Sequence, residues 1–224
     1  RSIQRDAKLF IYIYILLMLF RCAFLVIYSG QLGNAGAEDI AEALCLGARI
    51  SLKTTAFLVA FPFVFATLPY SFWSRWPARR IRNGLGSAAI AIMTVLFMAR
   101  IPYYEVFHHA FDIMLFNGMT DDKAAIWDTV VHQYQFWPRL AGAIVLIGIF
   151  VALWLRLAKT SVWTPKRHVR RYVVLVAVLV PIFGIFCRFG GAFDSDNGVP
   201  WESAARTRYT LLNEAILDDG QALY

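Results

Sequence analysis

Residues 9–28 read LFIYIYILLMLFRCAFLVIY, an apolar run in which Arg21 is the single charged residue. A helix needs about 20 predominantly apolar residues to cross the hydrocarbon core of a bilayer. The run therefore predicts a transmembrane helix. The alternative is a signal peptide cleaved near Ala35-Gly36-Ala37, but the apolar region of a signal peptide is only about 7–15 residues long.

Four later runs are also long enough to span a bilayer, and they cover residues 44–70, 84–104, 140–158 and 172–189. The whole chain is 59% hydrophobic and 17% charged, whereas a soluble domain is about a quarter charged. The net charge of +7 comes from basic residues that flank the runs and form no separate basic domain, so we predict no nucleic-acid partner. The sequence predicts an all-α integral membrane bundle of five transmembrane helices.

The charges between the runs alternate in sign along the chain. Residues 1–8, 71–83 and 156–171 are basic, whereas residues 30–48 and 105–138 are acidic. Basic loops stay on the cytoplasmic side of a membrane. We therefore expect a bacterial cytoplasmic (inner) membrane protein with its N-terminus inside and its C-terminus outside.

Two segments outside the runs have helical patterns. Residues 120–135 predict an external helix that lies on the membrane surface. Residues 191–224 predict an amphipathic juxtamembrane helix, whose apolar stripe is Trp201, Ala205, Tyr209, Leu212 and Ile216. We therefore divide the chain into a transmembrane domain, 1–190, and an extracytoplasmic linker, 191–224. Because the chain lacks an initial Met and stops within a helical pattern, we expect it to be part of a longer protein.

Several cations lie within or beside the runs at the depth predicted to face outward. A charge inside a span is costly and marks a functional site by default, and Arg offers a bidentate fork for phosphate. We predict a binding site for an anionic phospholipid headgroup, formed by Arg21, Arg49, Lys53, Arg100, Glu105, His108 and His109. The alternatives are snorkelling of the cations at helix ends and, for Arg21, pairing with Glu105 or Asp112.

The sequence contains no motif that we can assign to catalysis or metal binding in these residues. Glu105 and His108 form a single Glu-x-x-His element, whereas di-metal helical bundles use two such elements and further carboxylates. Nucleophile and phosphate-loop motifs are absent from the sequence. We therefore predict neither a catalytic residue nor a metal ligand within this chain.

Local sequence elements nevertheless resemble a known family. They are Gly47-Ala48-Arg49, Tyr103-Tyr104-Glu105, Trp201-Glu202 with Arg206, and Leu212-Asn213-Glu214-Ala215. Together with the order of the spans, they make the chain similar to the membrane domain of the lipoteichoic acid synthase family. These proteins are phosphoglycerol transferases of the alkaline phosphatase and sulfatase superfamily. One departure is Ser51, since the family often has an acidic residue two positions after the arginine of span 2.

The resemblance implies transfer of glycerophosphate, or of phosphoethanolamine, from a phospholipid such as phosphatidylglycerol to an acceptor outside the cell. It places a threonine nucleophile and a divalent metal such as manganese in a soluble domain after Tyr224. This chain would then anchor that catalytic domain and present the lipid donor. Two alternatives remain. One is a non-catalytic lipid-binding or regulatory module. The other is a small transporter, although five spans do not divide into two equal repeats.

Overall fold

The structure is a computed structural model that describes residues 2–73, 75–109, 111, 136–160, 169–194, 196, 198, 199, 207–218 and 220. Over these residues the chain is helical and contains no strand. The helices are α1 (Ser2–Ile27), α2 (Ala37–Pro62), α3 (Leu68–Phe72), α4 (Ala78–Phe107), α5 (Phe136–Lys159), α6 (Val169–Arg188) and α7 (Thr210–Ile216). A 3₁₀ turn, Ser29–Gln31, follows α1, and a π-helical segment, Phe63–Thr67, joins α2 to α3.

Four helices are long and apolar enough to cross a membrane: α1, the continuous helix Ala37–Phe72, α4 and α5. They coincide with the first four predicted runs, so those helices are confirmed. The part of α6 whose side chains are described, Ala177–Arg188, is an apolar helix that is too short to cross a membrane. The fifth span therefore stays a prediction. The predicted surface helix at 120–135 lies outside the described residues.

Helix α1 is the central element, because it packs against α2, α4, α5 and α7. Its buried side chains recur every three or four positions, as expected for one face of a helix, and they include Leu9, Ile13, Leu16, Phe20 and Phe24. The Phe20 ring stacks on Phe97 of α4 with 4.5 Å between centroids. By contrast, Ile15 and Val26 are 61% and 72% exposed. A helix that is apolar on its outer face as well suits an apolar surrounding.

Proline explains the π-helical segment. Pro62 lacks an N–H group and its ring crowds the preceding turn, which disturbs regular α-helical bonding at this point. The chain widens into a π-helix, a local distortion common at functional sites. Side chains then bind two carbonyls of this segment: the indole N–H of Trp76 donates to Phe65 (3.0 Å), and the Ser71 hydroxyl donates to Thr67 (3.0 Å). The Trp76 bond satisfies the Phe65 carbonyl, whose α-helical partner would be Pro69, a residue without an N–H group.

A buried ion pair joins α1 to α4 at one end of the bundle, which we call the Arg82 end. Arg82 and Asp6 are 1% and 5% exposed, and the guanidinium Nε lies 2.5 Å from a carboxylate oxygen. Thr67, at the end of the π-helical segment, donates to Asp6 and accepts from Arg82, and Ser2 accepts from Arg82 as well. Counting Arg82 as an ordinary loop charge was therefore wrong, since it lies inside α4 and its partner comes from another helix.

The short helix α7 is inserted among the long helices at the opposite end, which we call the Arg100 end. Leu211, Leu212, Ala215 and Ile216 are at most 2% exposed and belong to the same apolar core as the α1 side chains. Of the predicted stripe, Leu212 and Ile216 lie in α7 and are buried, whereas Tyr209 precedes the helix in an extended conformation, and Trp201 and Ala205 lie outside the described residues. The described part of the predicted linker is thus packed into the transmembrane bundle.

We expect Arg82→Met to destabilise the bundle by about 3–5 kcal/mol, because it leaves the Asp6 carboxylate buried without its cation. The double variant Asp6→Asn/Arg82→Met removes both charges and is expected to be more stable than Arg82→Met alone. Denaturant unfolding in detergent micelles measures both effects. A double variant less stable than either single variant would show that the ion pair is not what holds α1 against α4.

Candidate functional site

Two buried arginines from different helices grip the C-terminal end of α7, and we call this arrangement the arginine clamp. Arg21 of α1 donates from Nε to the carbonyl of Ala215 (2.8 Å) and from Nη2 to that of Ile216 (3.1 Å). Arg100 of α4 donates to the carbonyls of Glu214 (2.5 Å) and Leu217 (3.2 Å). Each arginine is 4% exposed. Four consecutive carbonyls are therefore bound by two side chains.

The reason lies in the chemistry of a helix end. The last four carbonyls of a helix have no partner within the helix, and they carry a partial negative charge from the aligned peptide dipoles. Burying such groups unpaired costs several kcal/mol each where water is absent. Cations at this position satisfy both the hydrogen bonds and the partial charge. The Arg100 guanidinium also lies 4.2 Å from the centre of the Phe24 ring, a cation–π contact.

Gly47 of α2 makes room for the clamp. A Cβ atom added at Gly47 would lie 2.3 Å from Nε of Arg21 and 2.6 Å from its Cζ. No side chain other than hydrogen fits at that distance, so the arginine passes directly over the backbone of α2. The Gly47 position in the Gly47-Ala48-Arg49 element thus has a steric explanation within this chain.

An acidic residue follows the clamp in the sequence. Asp218 is 5% exposed and accepts hydrogen bonds from the hydroxyls of Thr54 (2.8 Å) and Ser51 (3.3 Å) on α2. Two hydroxyls of α2 thus bind a carboxylate that the C-terminal segment supplies.

Arg49 and Lys53 bind the connection that follows α6. Arg49 donates from Nε to the carbonyl of Gly190 (2.7 Å), and Lys53 donates to that of Val199. The turn depends on glycine, because Gly190 and Gly191 have φ values of 65° and 84°. A Cβ at Gly190 would also lie 3.1 Å from the Arg49 carbonyl oxygen. Both cations are half-buried.

The other three predicted site residues follow Arg100 on or just after α4. Glu105 is exposed and forms an ion pair with Arg139 of α5 at 3.0 Å, an arrangement that contributes about 0–1 kcal/mol. His108 ends α4 with a left-handed conformation, φ 56°. His109 packs against the rings of Tyr103 and Phe107. Among the described residues, no group of three or more His, Cys, Asp or Glu side chains could hold a metal ion.

Of the seven predicted residues, the four cations are thus brought to one end of the bundle, and all four donate to main-chain carbonyls between positions 190 and 217. Sequence reasoning missed their acceptors, and it missed Asp218. The sequence feature that could have pointed to a buried acceptor is the polar pair Ser51 and Thr54, which lies on the same helix as Gly47. The role of these residues in headgroup binding stays a prediction. The N–H groups of Arg21 and Arg100 already donate to carbonyls at the end of α7, so a phosphate there would compete with α7 for them.

We expect Gly47→Ala to loosen α7, because the new methyl group collides with Arg21. Overpacking of this kind costs about 1–3 kcal/mol, although alanine is intrinsically the better helix former by about 1 kcal/mol. The matched control is Gly84→Ala on α4, where nothing lies within 4 Å of the added Cβ. Hydrogen exchange over residues 210–217 should accelerate in Gly47→Ala only. Equal exchange in the two variants would contradict the clamp.

Comparisons with protein-family models, curated proteins and solved structures gave no match. The family resemblance therefore stays a prediction carried by its local sequence elements.

Proposed function

We propose that this chain is the membrane domain of an envelope phosphoglycerol or phosphoethanolamine transferase. In this proposal the arginine clamp fixes α7 at a set depth in the bundle. The segment that continues past α7 then positions an extracytoplasmic catalytic domain against the membrane, where the phospholipid donor lies. The observation that carries the proposal is the bonding of Arg21 and Arg100 to four consecutive carbonyls, 214–217.

The desolvation free energy that the clamp requires supports a positioning role. Burying two guanidinium groups carries a desolvation penalty of several kcal/mol per ion. A simple tether to the membrane needs only an apolar helix, and α1, α4 and α5 already supply long ones. Because two buried cations bind the end of one seven-residue helix, the position of α7 in the bundle matters to the protein.

The proposal includes the predicted orientation. Helix α6 is the fifth span, the Arg82 end faces the cytoplasm and the Arg100 end faces outward. The supporting observation is that the acidic residues Glu38, Asp39 and Glu42 lie in the first turns of α2, next to the C-terminal end of α1. The basic segment 71–83 lies at the other end of the helix Ala37–Phe72. The donor is an anionic phospholipid such as phosphatidylglycerol, and the metal, such as manganese, belongs to the catalytic domain after Tyr224.

The predicted headgroup residues divide into two groups in this proposal. Arg21 and Arg100 act through α7. The half-buried or exposed residues are the proposed direct contacts with the donor headgroup: Arg49, Lys53, Glu105, His108 and His109. A non-catalytic lipid-binding module would use the same contacts, and the two functions differ in whether the longer protein cleaves the lipid.

We expect Arg100→Lys in the longer protein to reduce phosphotransfer from phosphatidylglycerol in nanodiscs about tenfold or more. Lysine keeps the charge but cannot donate two hydrogen bonds in the fixed geometry of a guanidinium, and a hydrogen bond from a charged group contributes about 1.5–3 kcal/mol. Release of diacylglycerol in the presence of Mn²⁺ measures the transfer. Hydrolysis of a water-soluble phosphodiester should be unchanged, because the catalytic domain itself is intact.

The matched control is Arg188→Lys, an exposed arginine at the end of α6 that is not among the proposed site residues, and it should keep wild-type transfer. If the wild-type protein releases no diacylglycerol with any divalent metal, the chain is better described as a lipid-binding or regulatory module. Loss of both activities in Arg100→Lys would instead point to misfolding and contradict a positioning role.

A further inference from the structure

An aromatic cleft lies at the Arg82 end, where α3 is followed by α4. Phe72, Trp73, Arg75 and Trp76 line a space of about 490 Å³. Phe72 and Trp73 are 84% and 69% exposed, and the rings of Trp73 and Trp76 lie 6.4 Å apart at an interplanar angle of 29°. Single exposed aromatic residues are ordinary, but three around one cleft form an apolar patch of the kind that marks an interaction site.

The cleft is held in place by hydrogen bonds. The indole N–H of Trp76 donates to the Phe65 carbonyl in the π-helical segment (3.0 Å). The main-chain N–H of Trp73 donates to Pro69 (2.8 Å), and that of Trp76 donates to Trp73 (3.0 Å). The Trp76 ring is therefore bound to the π-helical segment, and the main chain at Trp73 is bound to α3.

Positive charge surrounds the cleft on the surface. Residues 71–83 contain four arginines and no acid. Arg82 is buried against Asp6, which leaves Arg75, Arg79 and Arg80, all of them exposed. Arg79 and Arg80 lie in the first turn of α4, two and three residues after Pro77, which directly follows Trp76. The surface thus offers apolar rings and uncompensated cations side by side.

An anionic phospholipid uses both features. A soluble anion needs the arginines but not the rings, and a neutral lipid needs the rings but not the arginines. Trp is enriched where a membrane meets water, and the cleft adjoins the end of the long apolar helix Ala37–Phe72. We propose that this cleft binds one anionic phospholipid, with an acyl chain against Trp73 and Trp76 and the headgroup phosphate beside the three arginines. The site is at the opposite end from the arginine clamp and does not rest on the proposed function.

Native mass spectrometry of the purified chain, titrated with phosphatidylglycerol or phosphatidylcholine, tests this proposal. We expect one tight phosphatidylglycerol adduct. Arg75→Gln/Arg79→Gln should weaken it about 30-fold, since each cation near an anionic headgroup contributes about 1 kcal/mol. The matched control, Arg156→Gln/Lys159→Gln, removes the same charge from exposed positions near the end of α5, on the same side of the bundle, and should leave the affinity unchanged.

A second variant separates binding from folding. Trp73→Ala alters an exposed side chain, so it should keep the unfolding midpoint of the wild type while weakening the phosphatidylglycerol adduct. Equal loss in the α5 control, equal binding of phosphatidylcholine, or displacement of the lipid by free glycerol phosphate would each overturn the proposal. Equal loss of affinity in the α5 control would mean that binding depends on surface charge in general. Equal binding of phosphatidylcholine would indicate an apolar site, and displacement by glycerol phosphate would indicate a site for a soluble anion.

Discussion

The end of a helix cannot be buried in an apolar core unless something binds its last carbonyls, and the structure depends on how this chain meets that constraint. Arg21 and Arg100 supply the donors from two different long helices. Because each guanidinium binds two carbonyls, α7 is fixed in both rotation and depth. The same bonds neutralise the negative end of the helix dipole, so α7 and the two cations stabilise each other.

This arrangement makes several sequence features depend on one another. Gly47 has to lack a side chain because Arg21 crosses α2 at that point. Asp218 comes directly after the clamped carbonyls and lies where Ser51 and Thr54 can donate to it. The clamp therefore brings a carboxylate into the bundle together with the cations. Burying the two cations together with a nearby carboxylate costs less free energy than burying the cations alone.

The sequence was sufficient to predict the long helices and to single out the unusual cations, but it did not predict the groups to which these cations bind. Uninterrupted apolar runs identify spanning helices because length and hydropathy decide that question. Arg21 stood out since a charge within a span needs a reason. Its acceptors are main-chain carbonyls 194 and 195 residues away, and carbonyls carry no residue signature. The Asp6–Arg82 pair was missed because both residues resemble ordinary flanking charges.

Helix α1 is held by polar groups near both of its ends. Asp6 binds Arg82 and Thr67 at one end, and Arg21 binds α7 toward the other. A slip of one residue moves a helix by about 1.5 Å and turns it by about 100°, which would break both sets of bonds at once. The apolar and aromatic middle of the bundle is adaptable by comparison, because dispersion contacts are not directional. The depth of α7 is therefore set by polar bonds at both ends of α1.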